Sequence, residues 1–210
     1  QAGYTNFKYV TDITKDIFER EALLGCSITG FMNNPKILFN PEIQKKGANI
    51  IKATNKIISS LLNINQAART TCVKPSGNAS VLLGTGSGIH GEHSKKYFRN
   101  VQVNKEEDLG KYIKSVNSKM VENSLWSNNN SDWVISFPID AKEGSIFKKD
   151  LYGVKQLEFV KLTQQNWVEE GTNIELCVNK NIRHNVSNTI VVDDWEEVES
   201  FIYENKQWFA

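Results

Sequence analysis

Cysteine is scarce in this chain: three in 210 residues, Cys26, Cys72 and Cys177, with no C-x-x-C pair among them. An odd, scattered set argues against a disulfide framework or a zinc knuckle and for a reducing compartment. Excess charge of either sign is missing too, since 25 Lys and Arg face 24 Asp and Glu. With a net charge of +1 there is no whole-molecule field to draw in nucleic acid or an anionic membrane, and neither is expected as a partner. No apolar run approaches the roughly 20 residues that span a bilayer. The opening stretch, QAGYTNFKYVTDITKDIFER, is charged where a signal peptide would be apolar. A cytoplasmic location is the expectation. No Pro- or Gly-rich linker divides the chain and no repeat recurs, so residues 1–210 are expected to form a single domain.

What is present is strongly periodic. From Pro41 to Asn63, Ile43, Gly47, Ile50, Ile51, Thr54, Ile57, Ile58, Leu61 and Leu62 recur at three- and four-residue spacing. That pattern predicts a helix with this face turned inward, started by Pro41 at its first position. Further helices are expected over 106–121 (with Leu109, Tyr112, Ile113, Val116 and Met120 inward), over 153–170 with Gly171 as the stop, and from Asp194 to the chain's end. There Asp194 and Glu197 have the spacing of a capping box, and Val198, Phe201 and Ile202 face inward. Between these lie extended stretches: LLGCSIT (23–29), TTCVK (70–74), FRNVQV (98–103), WVISFPI (133–139), IELCV (174–178) and NTIVV (188–192). Apolar strands alternating with helices predict an α/β fold with a largely parallel sheet or barrel. The tryptophans are expected in the core or half-buried.

The chemistry concentrates in CVKPSGNASVLLGTGSGIH, residues 72–90, which holds four glycines, four hydroxyl side chains and one lysine. A strand that stops at Pro75 and opens a short helix can aim backbone N–H groups at an anion. The stretch lacks the G-x-x-x-x-G-K-[ST] of a Walker loop, and GTGSG (84–88) follows a helix, unlike a Rossmann fingerprint. Residue types alone leave two readings open: a phosphate cradle, or a glycine-rich connection with a helix cap.

The wording of several stretches is more specific. TTCVKPSGNASVLLGTGSGIH followed by KKYFRNVQV resembles the C-terminal part of the catalytic barrel of ribonucleotide reductases of the adenosylcobalamin-dependent type. EREALLGCSITGFMNNP upstream, and RHNVSNTIVVDDWEEV and YENKQWFA downstream, agree in order. The resemblance implies about half of a reductase-type α/β barrel. It implies that Ser76, Gly77, Asn78, Ala79 and Ser80 cradle the phosphates of a ribonucleoside di- or triphosphate, with Lys74 and His90 as further lining residues. Asn78 stands where the family usually carries threonine, an amide in place of a hydroxyl. Adenosylcobalamin is the implied cofactor of the complete enzyme, and the remainder of the barrel, in the same chain or a separate subunit, the implied partner.

The family's thiyl cysteine lies in an N-x-C-x-E loop, whereas the cysteines here read GCS, TCV and LCV. No catalytic residue is therefore assigned, and the chain alone is expected to reduce nothing. His90, Glu92 and His93 in IHGEHS lack the helical spacing of a metal site, so no metal ligand is assigned. Lys95, Lys96 and Arg99 form a basic cluster, either a solvated face or an aid to polyphosphate binding. The alternatives to a reductase segment are a free-standing phosphate-binding module and a split-gene subunit.

Overall fold

The computed structural model describes residues 2–209. α1 (Asp12–Glu21), α2 (Pro35–Leu38) and α3 (Pro41–Leu62) come first, and α4 (Gly77–Leu82) follows the Pro-Ser-Gly turn. Then come β1 (Lys96–Asn104), α5 (Asp108–Val116), β2 (Val121–Asn123), β3 (Asp132–Asp140), α6 (Val154–Thr163) and α7 (Trp195–Glu204). No helix among the described residues is long and apolar enough to cross a membrane.

The long helices start and stop where their end residues dictate. Asn40 Oδ1 accepts the N–H groups of Glu42 and Ile43 at 3.0 and 3.3 Å, which caps α3, and Asn63 closes it in the left-handed conformation (φ 52°). α6 begins after Gly153 and continues through a π-helical turn, Gln164–Val168, before the chain breaks away at Gly171. Asp194 Oδ1 caps α7 through the N–H groups of Glu196 and Glu197. The capping box is only half made, since Asp194 N–H donates to Asp193 instead. α7 stops at Glu204 and a 3₁₀ turn (Lys206–Trp208) follows, so the expected helix to the chain's end is not formed; Ala210 lies outside the described residues.

The core gathers Phe31, Met32, Phe39, Ala48, Val73, Ile89, Leu151, Val160, Trp167, Val168 and Val186. Trp167, on the π turn, is its joint. Its indole N–H donates to the Cys72 carbonyl (3.0 Å), and its own carbonyl accepts the Thr71 hydroxyl (2.6 Å) and the Gly171 N–H (3.2 Å). A Cβ on Gly47 of α3 would come within 3.0 Å of the indole, so the helix can approach this closely only with glycine there.

The expected parallel sheet is reduced to single bridges. Cys26 pairs with Thr71 and Val73 with Val186, both parallel, which sets segments 24–26, 70–73 and 185–187 side by side. Tyr152–Val191 and Glu92–Phe147 are further parallel bridges. The three-stranded sheet, in the order β1-β3-β2, is antiparallel throughout, with Val101 opposite Ile135. FRNVQV and WVISFPI lie in it, and the regular exposed–covered alternation along β1 explains why: one face is solvated, as antiparallel sheets allow and fully covered parallel ones do not. IELCV forms no strand but a 3₁₀ turn at Ile174–Leu176.

Other expectations fail on burial. α5 is shorter than 106–121, and its Leu109, Tyr112 and Val116 are exposed. Trp126 and Trp195 are exposed as well, against the reading of the tryptophans as packing residues. In α3 the covered side chains are Gln44, Ala48, Asn55 and Ser59, while Ile43, Ile50, Ile57, Ile58, Leu61 and Leu62 face outward.

Trp167→Ala is expected to lower unfolding free energy by about 3–5 kcal/mol in urea, whereas Ile50→Ala stays within about 0.5 kcal/mol. Equal effects of the two would contradict the assignment of Trp167 as the joint.

Candidate functional site

The loop leaves the core at Val73, whose N–H and carbonyl are fixed by Asn185 and Ser187. Pro75 carries no N–H, and Ser76 takes the position before α4. The Ser76 N–H donates to Ser87 Oγ at 3.0 Å, so the loop's two arms are tied together at its neck. Thr29 locks the same neck. Its hydroxyl donates to the Gly86 carbonyl (2.8 Å) and accepts from the Gly88 N–H (2.7 Å) and from Ser76 Oγ (2.5 Å). With its one proton given to Gly86, Thr29 must be acceptor to Ser76.

Two glycines are required here by close approach. Gly88 has φ +56°, and a Cβ on it would stand 2.9 Å from the Lys74 carbonyl. A Cβ on Gly86 would meet Asn33 Oδ1 at 2.8 Å and Glu92 Oε1 at 3.1 Å.

Beneath the loop runs a buried polar network. Asn33 Oδ1 accepts from the Gly86 N–H and the Thr85 hydroxyl (2.5 and 2.9 Å), and its amide donates to Glu92 Oε1 (2.6 Å) and Ser145 Oγ (3.1 Å). The other Glu92 oxygen accepts the Tyr97 phenol at 2.5 Å. Arg99 on β1 donates to Ser80 Oγ (2.7 Å) and, at 3.5 Å, to the Tyr97 oxygen, and Ser80 Oγ donates to the Gly77 carbonyl (3.0 Å). Burial pushes the Tyr97 phenol up to about 12, and its bond to the Glu92 carboxylate and that group's charge push the same way, with Arg99 opposing. The phenol therefore remains a donor across the physiological range.

The predicted site residues divide accordingly. Gly77, Asn78 and Ala79 are exposed, and their N–H groups have no hydrogen-bond partner among the described residues. Ser76 is half-buried with its N–H and hydroxyl engaged. Ser80 is fully buried, its hydroxyl held by Gly77 and Arg99 and its N–H by Ser76, so it props the turn from below. His90 donates from Nδ1 to the Ser87 carbonyl (2.9 Å) and accepts the Thr189 N–H at Nε2 (3.0 Å), a neutral tautomer with both nitrogens engaged. Lys74 is exposed and lines a cavity of about 320 Å³ with Cys72, His184 and Asn185, none of Ser76–Ser80 being among its walls.

In that cavity burial pushes the Cys72 thiol up, against the pull of Lys74, and burial pushes His184 down although Nδ1 is bonded to the Thr71 carbonyl. A neutral thiol beside a neutral imidazole is a poor nucleophile. Among the described residues no three His, Cys, Asp or Glu side chains gather as a metal-binding group. Of the basic cluster, Lys95 and Lys96 reach Asp140 on the surface, and only Arg99 turns to the loop. Thr29, Asn33, Glu92 and Tyr97 were not assigned from the sequence. Their signal there was faint: a lone acidic residue between two histidines and a hydroxyl before a glycine.

No family model matches the chain. It is 26% identical over 161 residues to a probable adenosylcobalamin-dependent ribonucleoside-triphosphate reductase of Dictyostelium discoideum, covering 74% of this chain and 21% of that protein. Against the adenosylcobalamin-dependent ribonucleoside-triphosphate reductase of Euglena gracilis the figures are 25% over 163 residues, 74% and 22%. The chain thus spans about a fifth of the length of the curated relatives it matches. A crystal structure of a B12-dependent (class II) ribonucleotide reductase shares its fold, with a TM-score of 0.58 at 16% identity, over 94% of this chain and 29% of that one. The resemblance read from the sequence phrases is borne out, and the mixed helix–strand fold is that of part of such a reductase.

The folded chain holds the Tyr97 proton more tightly than an unfolded chain, whose phenols titrate near pH 10. The resulting stabilisation is complete below pH ~10 and is lost as pH rises towards 12. Urea unfolding of wild type and Tyr97→Phe is expected to show a gap at pH 9 that narrows by pH 11.5. A gap independent of pH would contradict the Tyr97–Glu92 bond.

Proposed function

We propose that this chain is the substrate-holding segment of an adenosylcobalamin-dependent ribonucleotide reductase, a single-domain part of its barrel that binds the phosphates of a ribonucleoside di- or triphosphate in the cytoplasm. The observation that carries the reading is the trio of unpartnered N–H groups at Gly77, Asn78 and Ala79, presented on a turn that Thr29, Ser87 and Arg99 hold rigid. Each such N–H donated to a phosphate oxygen contributes about 1.5–3 kcal/mol as a charge-assisted bond. The exposed Asn78 amide adds a longer-reaching donor in place of the family's threonine hydroxyl. Ser80 and His90 act one step back, holding the turn and the return arm. Lys74, exposed at the neck, supplies positive charge near the approach.

In a complete reductase this segment positions the nucleotide so that the ribose meets the radical in a fixed register, which removes much of the entropic barrier. Adenosylcobalamin, which the relatives' names specify, supplies the radical when bound to the whole enzyme. Nothing in the lining of the described cavities marks a seat for it: those of about 470 and 540 Å³ are walled by Phe7, Phe18 and Asn65 and by Lys149, Glu158 and Asp193, and its binding is assigned to the remainder of the enzyme. None of the three cysteines has the N-x-C-x-E setting, so on this reading reduction requires a thiol from outside this chain. The outward isoleucines of α3 weigh against a free-standing module, which would gain solubility by covering or replacing them.

A Cβ on Gly77 would meet nothing within 4 Å, so added bulk there obstructs only a ligand. Gly77→Val is expected to weaken binding of a ribonucleoside triphosphate at least tenfold by calorimetry while leaving the melting curve in place. Unchanged affinity would remove the turn from the site.

A further inference from the structure

α3 is amphipathic in a direction the chain itself does not use. Ile43, Ile50, Ile57 and Leu61 are spaced by seven, seven and four residues, which lays them in one line of about 27 Å along the helix. They stand 46%, 57%, 62% and 76% exposed, with Ile58 and Leu62 on their flank. We propose that this line seats an apolar-faced α-helix from the remainder of the reductase polypeptide, in the same chain or a separate subunit. The inference rests on the reading given under Proposed function.

The helix cannot rotate to bury the line against its own domain. Gly47 lies against the Trp167 indole with no room for a larger residue. Gln44 Nε2 donates to the Leu38 carbonyl (2.6 Å), Asn55 Oδ1 accepts the Ala67 N–H (2.9 Å), and Asn49 donates to Glu170 (2.8 Å). These polar and small residues fix which side faces in, so the isoleucines are fixed facing out. Water gains nothing from them, and an apolar line of this kind, with only Thr54 between Ile50 and Ile57, is a docking surface in a stable protein.

The spacing chooses the kind of occupant. A seven-residue repeat offers holes along a straight seam to side chains of a second helix, whereas a strand would match a period of two. Size chooses its source. The chain spans about a fifth of its curated relatives and 29% of the solved reductase chain, so a protein of that kind carries several times this chain's length with which to cover the line.

The test places the photo-crosslinker p-benzoylphenylalanine at position 57 of the native polypeptide, followed by irradiation and peptide mass spectrometry. Cross-links to a helical peptide outside residues 1–210, in the same or a co-purifying polypeptide, are expected. Cross-links only to residues 1–210 of a second copy, or none, would overturn the proposal. As a second measurement, Ile50→Asp combined with Ile57→Asp is expected to lower the thermal midpoint of the native polypeptide by several degrees, and an unchanged midpoint overturns it as well. Failure of the functional reading shows separately, as a native assembly with no N-x-C-x-E segment and no ribonucleotide turnover.

Discussion

Everything the candidate site does depends on where the extended segment 70–73 is held, and Trp167 holds it. The π turn that carries this side chain offers a ring, an indole donor and a backbone acceptor to three neighbours at once. Cys72 and Thr71 are bonded to it directly, and α3 packs on the ring through Gly47. Val73 and Lys74 follow with no freedom to shift, so the turn at Ser76 inherits its position from the core. An extra residue within a helix is costly in isolation and recurs where a functional position must be reached. Here it is offset by bonds that a regular helix would not place.

The second constraint is polar. Glu92 is a buried carboxylate whose two oxygens are each bonded, one to Asn33 and one to Tyr97. A network of this kind stabilises only when complete, because a single lost partner leaves a buried group unpaired. Its completeness allows Gly86 to lie flat against Asn33 and Arg99 to reach Ser80 from below. The result is a turn whose inner groups are satisfied and whose outward N–H groups, at Gly77, Asn78 and Ala79, have no partner among the described residues. Rigidity before binding lowers the ordering cost that a flexible loop would have to meet.

How much of this was legible in the sequence differs by element. The bounds of α3, the start of α6 and its break at Gly171, and the start of α7 followed from Pro41, Gly153, Gly171 and Asp194, because caps and stops act locally, whereas the end of α7 at Glu204 had no such marker. The family resemblance was legible because whole phrases survived in order. The parallel sheet was over-read: TTCVK and LLGCSIT run side by side but pair at single residues, and β1 and β3 pair antiparallel. The polar alternation of Asn100, Gln102 and Asn104 carried that signal. The inward face of α3 is rotated from the expected one: Gly47 and Ile51 do meet the core, but Gln44, Ala48, Asn55 and Ser59 take the covered side in place of the other isoleucines and leucines, because periodicity shows that a helix has an apolar face without saying which neighbour covers it. Within the loop, composition singled out the turn but could not separate the exposed Gly77–Ala79 from the buried Ser80. The Glu92 network was illegible, since its members lie 52 to 59 residues and more apart where they meet Asn33.

The most direct measurement of the central claim is an amide ¹H–¹⁵N titration of the chain with a ribonucleoside triphosphate. The account predicts that the Gly77, Asn78 and Ala79 signals shift together and saturably, while those of Leu23, Leu24 and His184, on the far walls of the Cys72–His184 cavity, stay in place. Shifts confined to that cavity, or no saturable shift at the turn, would contradict it.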